Sequence, residues 1–318
     1  MPIQNTPDKA GKEPKDHNEI LEALYQARTA GRQPIMRFEG VHPLLESGGI
    51  DTAKTYKLVA QGDSWFDYPG DDIINYLREG HGHTIKNIAV AGSTLNDIVY
   101  GPVPKNWLGI PQSDDVSRLE ELLYLMEKNH EKNDPLQGVL LSGGGNDIAG
   151  PEFFSFLNNK DAHLHNPDAM VVAGVVTETF LNAYRDLVKA IFARADTLQI
   201  NNLHVFIHGY DYPWPDGRGF TMFNLVGPWF DESFNKKNFP YNNHDDLLER
   251  RKIVHDFIEK FNDMLATLAS EYPRVHYVNL RGTLDEDIAL WANELHPTTQ
   301  GFSLLADKMN LALHQVIQ

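Results

Sequence analysis

The chain has 318 residues, 42% hydrophobic and 23% charged, which is the composition of a globular protein and excludes wholesale disorder. Its 28 Lys and Arg stand against 44 Asp and Glu, a formal charge of −16 that argues against nonspecific binding to DNA or RNA. With no cysteine it has no disulfide framework, no thiolate zinc site and no Cys nucleophile.

In chain order, residues 1–50 read as a polar N-terminal extension, with a weak helical pattern at Ile20, Leu21, Leu24 and Tyr25. Residues 51–318 read as one α/β domain, interrupted by an aromatic-rich insertion at about 209–245. The N-terminus holds no apolar stretch able to serve as a signal-peptide core. Met170 to Val176 is the longest wholly apolar run, far short of the ~20 residues of a membrane span. A cytoplasmic protein without a membrane span is therefore expected.

From residue 55, short apolar runs alternate with helical patterns. The runs are Tyr56–Ala60, Ile85–Val90, Gly138–Ser142, Leu203–Ile207 and Val275–Asn279. Continuous apolar character over so few residues is what strands buried on both faces require. Between them, Asp115 is placed to cap a helix carrying Leu119, Leu122, Leu123 and Met126. A second stripe runs through Phe180, Tyr184, Leu187, Val188, Ile191 and Phe192. A third runs from Leu247 through Val254, Phe257, Ile258, Phe261, Leu265 and Leu268, and ends before Pro273. Strand–helix alternation predicts right-handed crossovers and a doubly wound parallel sheet of five strands. In such sheets sites form beyond the carboxyl ends of the strands, so chemistry is sought there.

The first strand run leads into Gly62-Asp63-Ser64-Trp65, where a tight turn before a helix at Asp71 to Leu77 would lift the Ser64 hydroxyl above the sheet, near a helix N-terminus. Ala91-Gly92-Ser93 follows the second run. Gly143-Gly144-Gly145-Asn146-Asp147 follows the third, its glycines allowing close backbone approach and Asn146 offering an amide donor. The last run is followed by Asn293-Glu294-Leu295-His296-Pro297. Each block alone is ordinary turn chemistry. Together they supply a nucleophile, a base and oxyanion donors, the inventory of acyl transfer.

These blocks resemble those of the SGNH, or GDSL-type, serine hydrolases, over residues 55 to 316. Gly62-Asp63-Ser64 matches the first block, with Trp65 where the family has Leu. Gly92 stands for the second, Gly144-Gly145-Asn146-Asp147 matches Gly-x-Asn-Asp, and His296-Pro297 closes the last. The resemblance implies a three-layer α/β/α, flavodoxin-like SGNH hydrolase fold and a serine esterase acting through an acyl-Ser64 intermediate. His296 would be its general base, and the Ser64 and Gly92 backbone N–H groups with the Asn146 amide its oxyanion hole. A small-molecule ester would be the substrate, with no cofactor and no metal. Asp63 and Asp147 would pin their own loops.

One position departs from the family. Its last block carries Asp three residues before the His, where this chain has Asn293, with Glu294 next to it. Asn293 can accept a hydrogen bond from the imidazole but brings no charge. It is the expected orienter, Glu294 the alternative. The insertion holds ten aromatic residues between positions 210 and 241, from Tyr210, Tyr212 and Trp214 to Phe239 and Tyr241. It reads as an irregular lid that either packs on itself or, with Trp65, walls a substrate site. Two competing readings are a metal-dependent phosphoesterase, whose histidine and aspartate spacings the chain does not reproduce, and a non-catalytic binding protein on the same fold.

Overall fold

The computed structural model describes residues 54–102, 116–220, 227–284 and 287–317. The N-terminal extension, Asp115 and Phe223 lie outside the described residues. Five short strands, β1 (Lys57–Gln61), β2 (Thr84–Asn87), β3 (Gly138–Leu141), β4 (His204–His208) and β5 (Val275–Val278), form one sheet in the order β2-β1-β3-β4-β5. Every pairing is parallel, with Val59 opposite Lys86 and Val139, and Phe206 opposite Leu140 and His276. Leu58, Val59, Ala60, Val139, Leu140, Val205, Phe206 and Ile207 are wholly buried. Side chains alternate across a strand, so both faces of the sheet are covered, as the uninterrupted apolar runs demand.

Helices α1 (Ile73–Glu79), α2 (Leu95–Tyr100), α3 (Arg118–Glu131), α4 (Gly145–Ile148), α5 (Ala169–Val172), α6 (Leu181–Thr197), α7 (Asp231–Lys236), α8 (His244–Glu271) and α9 (Thr299–Val316) complete the described fold. α1 packs on α9 on one face; α2, α3, α6 and α8 pack among themselves on the other. Right-handed crossovers require this division, since the chain steps one way from β1 to β2 and the other way afterwards. The result is the doubly wound α/β/α sandwich expected from the strand–helix alternation.

Local chemistry sets most boundaries. Ser117 caps α3 in a capping box with Glu120, in place of the expected Asp115. From that start the stripe facing inward runs through Leu122, Leu125 and Met126, leaving Leu119 and Leu123 half-buried. α8 ends at Glu271 because Tyr272, before Pro273, is forced into extended backbone. β2 is regular only to Asn87, but the predicted run continues alongside β1 through Ile88 N–H to Ala60 O (2.8 Å) and Val90 N–H to Gly62 O (3.0 Å). The apolar run at Met170 to Val176 spans α5 and a π-helical stretch, Ala173–Phe180, leading into α6. No helix among the described residues is long and apolar enough to cross a membrane.

The insertion is less irregular than its Pro and Gly content suggests. It contains α7, and Phe230, Phe234 and Phe239 are buried with Phe153, Phe156 and Phe257 in a cluster of edge-to-face rings. Arg250 of α8 lies wholly buried beneath it. Its guanidinium donates to Phe239 O (2.6 and 2.9 Å), Asn235 Oδ1 (2.6 Å) and Asp231 Oδ1 (2.6 Å). Arg250→Met removes these donors and leaves buried acceptors unpaired, so it is expected to lower the unfolding free energy by about 3 kcal/mol. Denaturant unfolding of the two proteins, compared by midpoint and slope, measures this.

Candidate active site

The loops after β1, β3, β4 and β5 meet over the carboxyl edge of the sheet. β1 runs into Gly62, where an added Cβ would stand 2.6 Å from Ser142 O, so only glycine lets β1 and β3 approach this closely. Asp63 to Phe66 then forms a turn, closed by Phe66 N–H to Asp63 O (3.1 Å), with Ser64 at its second position. The turn is not followed directly by a helix. Pro69-Gly70 and the Asp72 cap delay α1 to Ile73, so Ser64 does not lie at a helix N-terminus, contrary to expectation.

His296 sits in a turn whose ends pair as an antiparallel bridge, Trp291 with Pro297. The turn returns the imidazole over Ser64, with His296 Nε2 2.7 Å from Ser64 Oγ. On the opposite nitrogen, Nδ1 lies 3.0 Å from Asn293 Oδ1. The same amide oxygen accepts the backbone N–H groups of Leu295 (3.0 Å) and His296 (2.9 Å). Those two donors fix the oxygen end of the amide toward the ring, which places the imidazole proton on Nδ1 and leaves Nε2 to accept from Ser64. Ser64, Asn293 and His296 are all buried. Burial pushes the His296 pKa down to about 3.

Glu294 stands elsewhere. Its wholly buried carboxylate accepts the backbone N–H groups of Gly217 (2.9 Å), Trp229 (2.6 Å) and Phe230 (2.7 Å). It ties the insertion to the His296 turn, and burial pushes its pKa up to about 7. The Asn293 position, not Glu294, is the one in contact with His296.

Asp63 does more than pin its own loop. It accepts Trp65 N–H (3.0 Å), but also the hydroxyls of Ser142 (2.7 Å) and Tyr210, linking the loops after β1, β3 and β4. Tyr210 in turn accepts Gly145 N–H (3.0 Å). Asp147 accepts Leu95 N–H (2.7 Å) from the neighbouring block, and burial raises its pKa to about 6. Asn146 donates one amide hydrogen to Ser93 O (3.0 Å), which aims the group and leaves its second hydrogen over the cleft it shares with Ser64 and His296. Gly92, at φ +79°, is exposed beside the same Ser93. Among the described residues none accepts from the backbone N–H of Ser64 or Gly92.

The cleft beside Ser64 is small, about 30 Å³, and opens to solvent; apolar side chains of Ile148, Phe230, Trp291 and Leu295 line it. Trp65 and Tyr210 line it too. Tyr212 and Trp214 are not part of the wall. Tyr212 stacks on His255 of α8 (ring centroids 4.0 Å apart) and donates to Glu259, while Trp214 is covered by the Arg251 guanidinium at 3.9 Å. Tyr68 escapes the sequence reading, which holds Trp229 only as one of the insertion's ten aromatic residues and Trp291 only as a member of the last block. Tyr68 and Trp229 both approach the His296 ring, at centroid distances of 4.4 and 5.3 Å. Trp291, five residues before His296, is detectable as an aromatic within the last motif block. Among the described residues no three His, Asp or Glu side chains are grouped to hold a metal ion.

No protein-family model and no curated protein matches the sequence. Solved structures do match. The extracellular lipase of Streptomyces rimosus superposes with a TM-score of 0.50 at 14% identity, over 81% of this chain and 100% of the lipase. A family 3 carbohydrate esterase of Clostridium thermocellum gives 0.43 at 13% identity, over 82% and 98%. A GDSL-like lipase of Bacteroides thetaiotaomicron gives 0.39 at 11%, over 94% and 99%. The chain therefore has the fold of the Streptomyces lipase.

Proposed function

We propose that the protein is a serine hydrolase of carboxylic esters with short acyl groups. The observation that carries this reading is the contact of Ser64 Oγ with His296 Nε2 at 2.7 Å, with Asn293 on Nδ1, in a cleft at the strand ends. As Ser64 attacks the ester carbonyl, its proton passes to Nε2 and the carbonyl π pair moves onto oxygen. The Ser64 and Gly92 N–H groups and the free Asn146 amide hydrogen would receive that oxyanion, each typically worth about 3 kcal/mol of barrier. His296 then returns the proton to the leaving alcohol and activates water to release the acid. The small volume beside Ser64, about 30 Å³, supports a short acyl group there.

A fluorophosphonate should label the wild-type protein stoichiometrically, and Ser64→Ala should abolish both labelling and ester hydrolysis. On a panel of esters, kcat/KM should be highest for acetyl and propionyl and fall by about tenfold or more at octanoyl, as the longer chain must displace packed rings. Unlabelled protein, or a Ser64→Ala variant as active as wild type, would remove the reading. The panel rising with chain length would remove the short-acyl part alone.

A further inference from the structure

Ser64 and His296 are joined by an amide where a carboxylate would carry charge. Asn293 Oδ1 can hold the Nδ1 proton but cannot balance the positive charge that the ring acquires when Ser64 gives up its proton. Burial is the influence that shifts the imidazole. One side chain touches both members of the His296–Asn293 pair. Tyr68, in the loop between β1 and α1, lays its ring on the imidazole, with centroids 4.4 Å apart and planes inclined by 26°. Its hydroxyl oxygen accepts from Asn293 Nδ2 at 3.1 Å. The ring is held in turn by Phe302 of α9 at 5.6 Å and by Phe220 of the insertion, edge-on at 5.8 Å.

We propose that Tyr68 is the positioning residue that replaces the missing carboxylate: its π-face stabilises the imidazolium of His296 and its hydroxyl holds the Asn293 amide with oxygen toward Nδ1. The inference rests on the Ser64–His296 hydrolase reading. The physical reason is twofold. An aromatic face attracts a cation lying over it, most strongly where water is excluded, and the imidazole becomes a cation only during the reaction. An amide can be turned end for end, and an acceptor at its NH₂ end opposes that turn from the side opposite the two backbone donors. The phenol hydroxyl lies on the Nδ1 side of the ring, away from Ser64, so it acts through His296 and takes no part in the proton transfer itself.

The test is a cycle on the full chain: Tyr68→Phe and Tyr68→Leu, each alone and combined with Asn293→Asp, assayed for kcat and KM on an acetyl ester beside Ser64→Ala. Tyr68→Leu should lower kcat about tenfold with KM within about twofold, and Tyr68→Phe, which keeps the ring, should lose about threefold. In the Asn293→Asp background the Leu substitution should cost less than about threefold, because the new carboxylate supplies the charge. In parallel, nitrogen-15 NMR of His296 in the inactive Ser64→Ala protein should show the Nδ1-protonated tautomer, and a tautomer mixture once Tyr68→Leu is added. Equal losses in both backgrounds, an unchanged kcat, or an unchanged tautomer would overturn the proposal and leave Tyr68 a wall of the cleft. Activity surviving in Ser64→Ala would instead overturn the hydrolase reading, and the NMR measurement would still decide Tyr68.

Discussion

Asn293→Ala is expected to lower kcat about 10³-fold with little change in KM, whereas Glu294→Ala should act chiefly on stability and KM. The two residues are neighbours, and both are buried, but their contacts diverge. Asn293 Oδ1 faces His296 Nδ1 at 3.0 Å. Without it the imidazole loses the acceptor that selects its tautomer, and a ring protonated on Nε2 cannot take the Ser64 proton; losses of this order follow from a wrong tautomer in serine hydrolases generally. Glu294 accepts three backbone N–H groups of the insertion and none from the imidazole. Removing it leaves those donors unpaired in a dry interior and is expected to lower the unfolding free energy by about 3 kcal/mol. Phe230, one of the three, also walls the cleft, so KM should rise. Steady-state kinetics and denaturant unfolding of both variants separate the effects. A loss of kcat confined to Glu294→Ala would reverse the assignment.

The parts of this site that are legible in the sequence are those fixed by local chemistry. Strand runs such as Tyr56–Ala60 announce themselves because burial on both faces admits only apolar residues. Ser64 and His296 stand in short loops, and Asn146 in the first turn of α4, where Gly and Pro mark tight turns that the strand ends bring to one edge. Asn293 is readable because its relation to His296 spans only three residues of one turn. Glu294 is not. Its partners lie 64 to 77 residues away, and nothing in the local pattern says which distant N–H groups a carboxylate will meet. The aromatic insertion shows the same limit. Composition reveals the surplus of rings, but in a segment without helical or strand periodicity the direction of each ring is set by tertiary partners. Tyr210 turns to Asp63 and the cleft, Tyr212 and Trp214 to α8. Tyr68 escapes for a related reason: its stacking partner lies at the other end of the chain, and one tyrosine in a loop carries no pattern.

Asn293→Asp is expected to raise kcat about tenfold at neutral pH and to move the acid limb of the rate profile upward. In the wild type, burial pushes the His296 pKa down to about 3. The base therefore stays neutral across the range where an ordinary histidine titrates, and hydrolysis should show no His296 limb between pH 5 and 8. A carboxylate on Nδ1 favours the imidazolium and typically raises such a pKa by about one to three units. Activity of the variant should then begin to fall at a higher pH as acid is added, while its plateau rises because the cation formed on attack is stabilised. The Tyr68 hydroxyl can serve this variant by donating to the second carboxylate oxygen, a role open to a phenol but not to a methyl or phenyl group. The sign carries over to stability. A folded-state pKa below the unfolded value means that the unfolded chain binds the extra proton first, so the His296 contribution to stability is present above about pH 6.5 and is lost as pH falls toward the folded value. Raising that value narrows the window. Wild type and variant should differ least above pH 7 in the pH slope of unfolding free energy, and most between about pH 3 and the variant's raised value. An acid limb that does not move between the two proteins would show that the introduced carboxylate and His296 do not share the proton, and that the Nδ1 partner lies elsewhere.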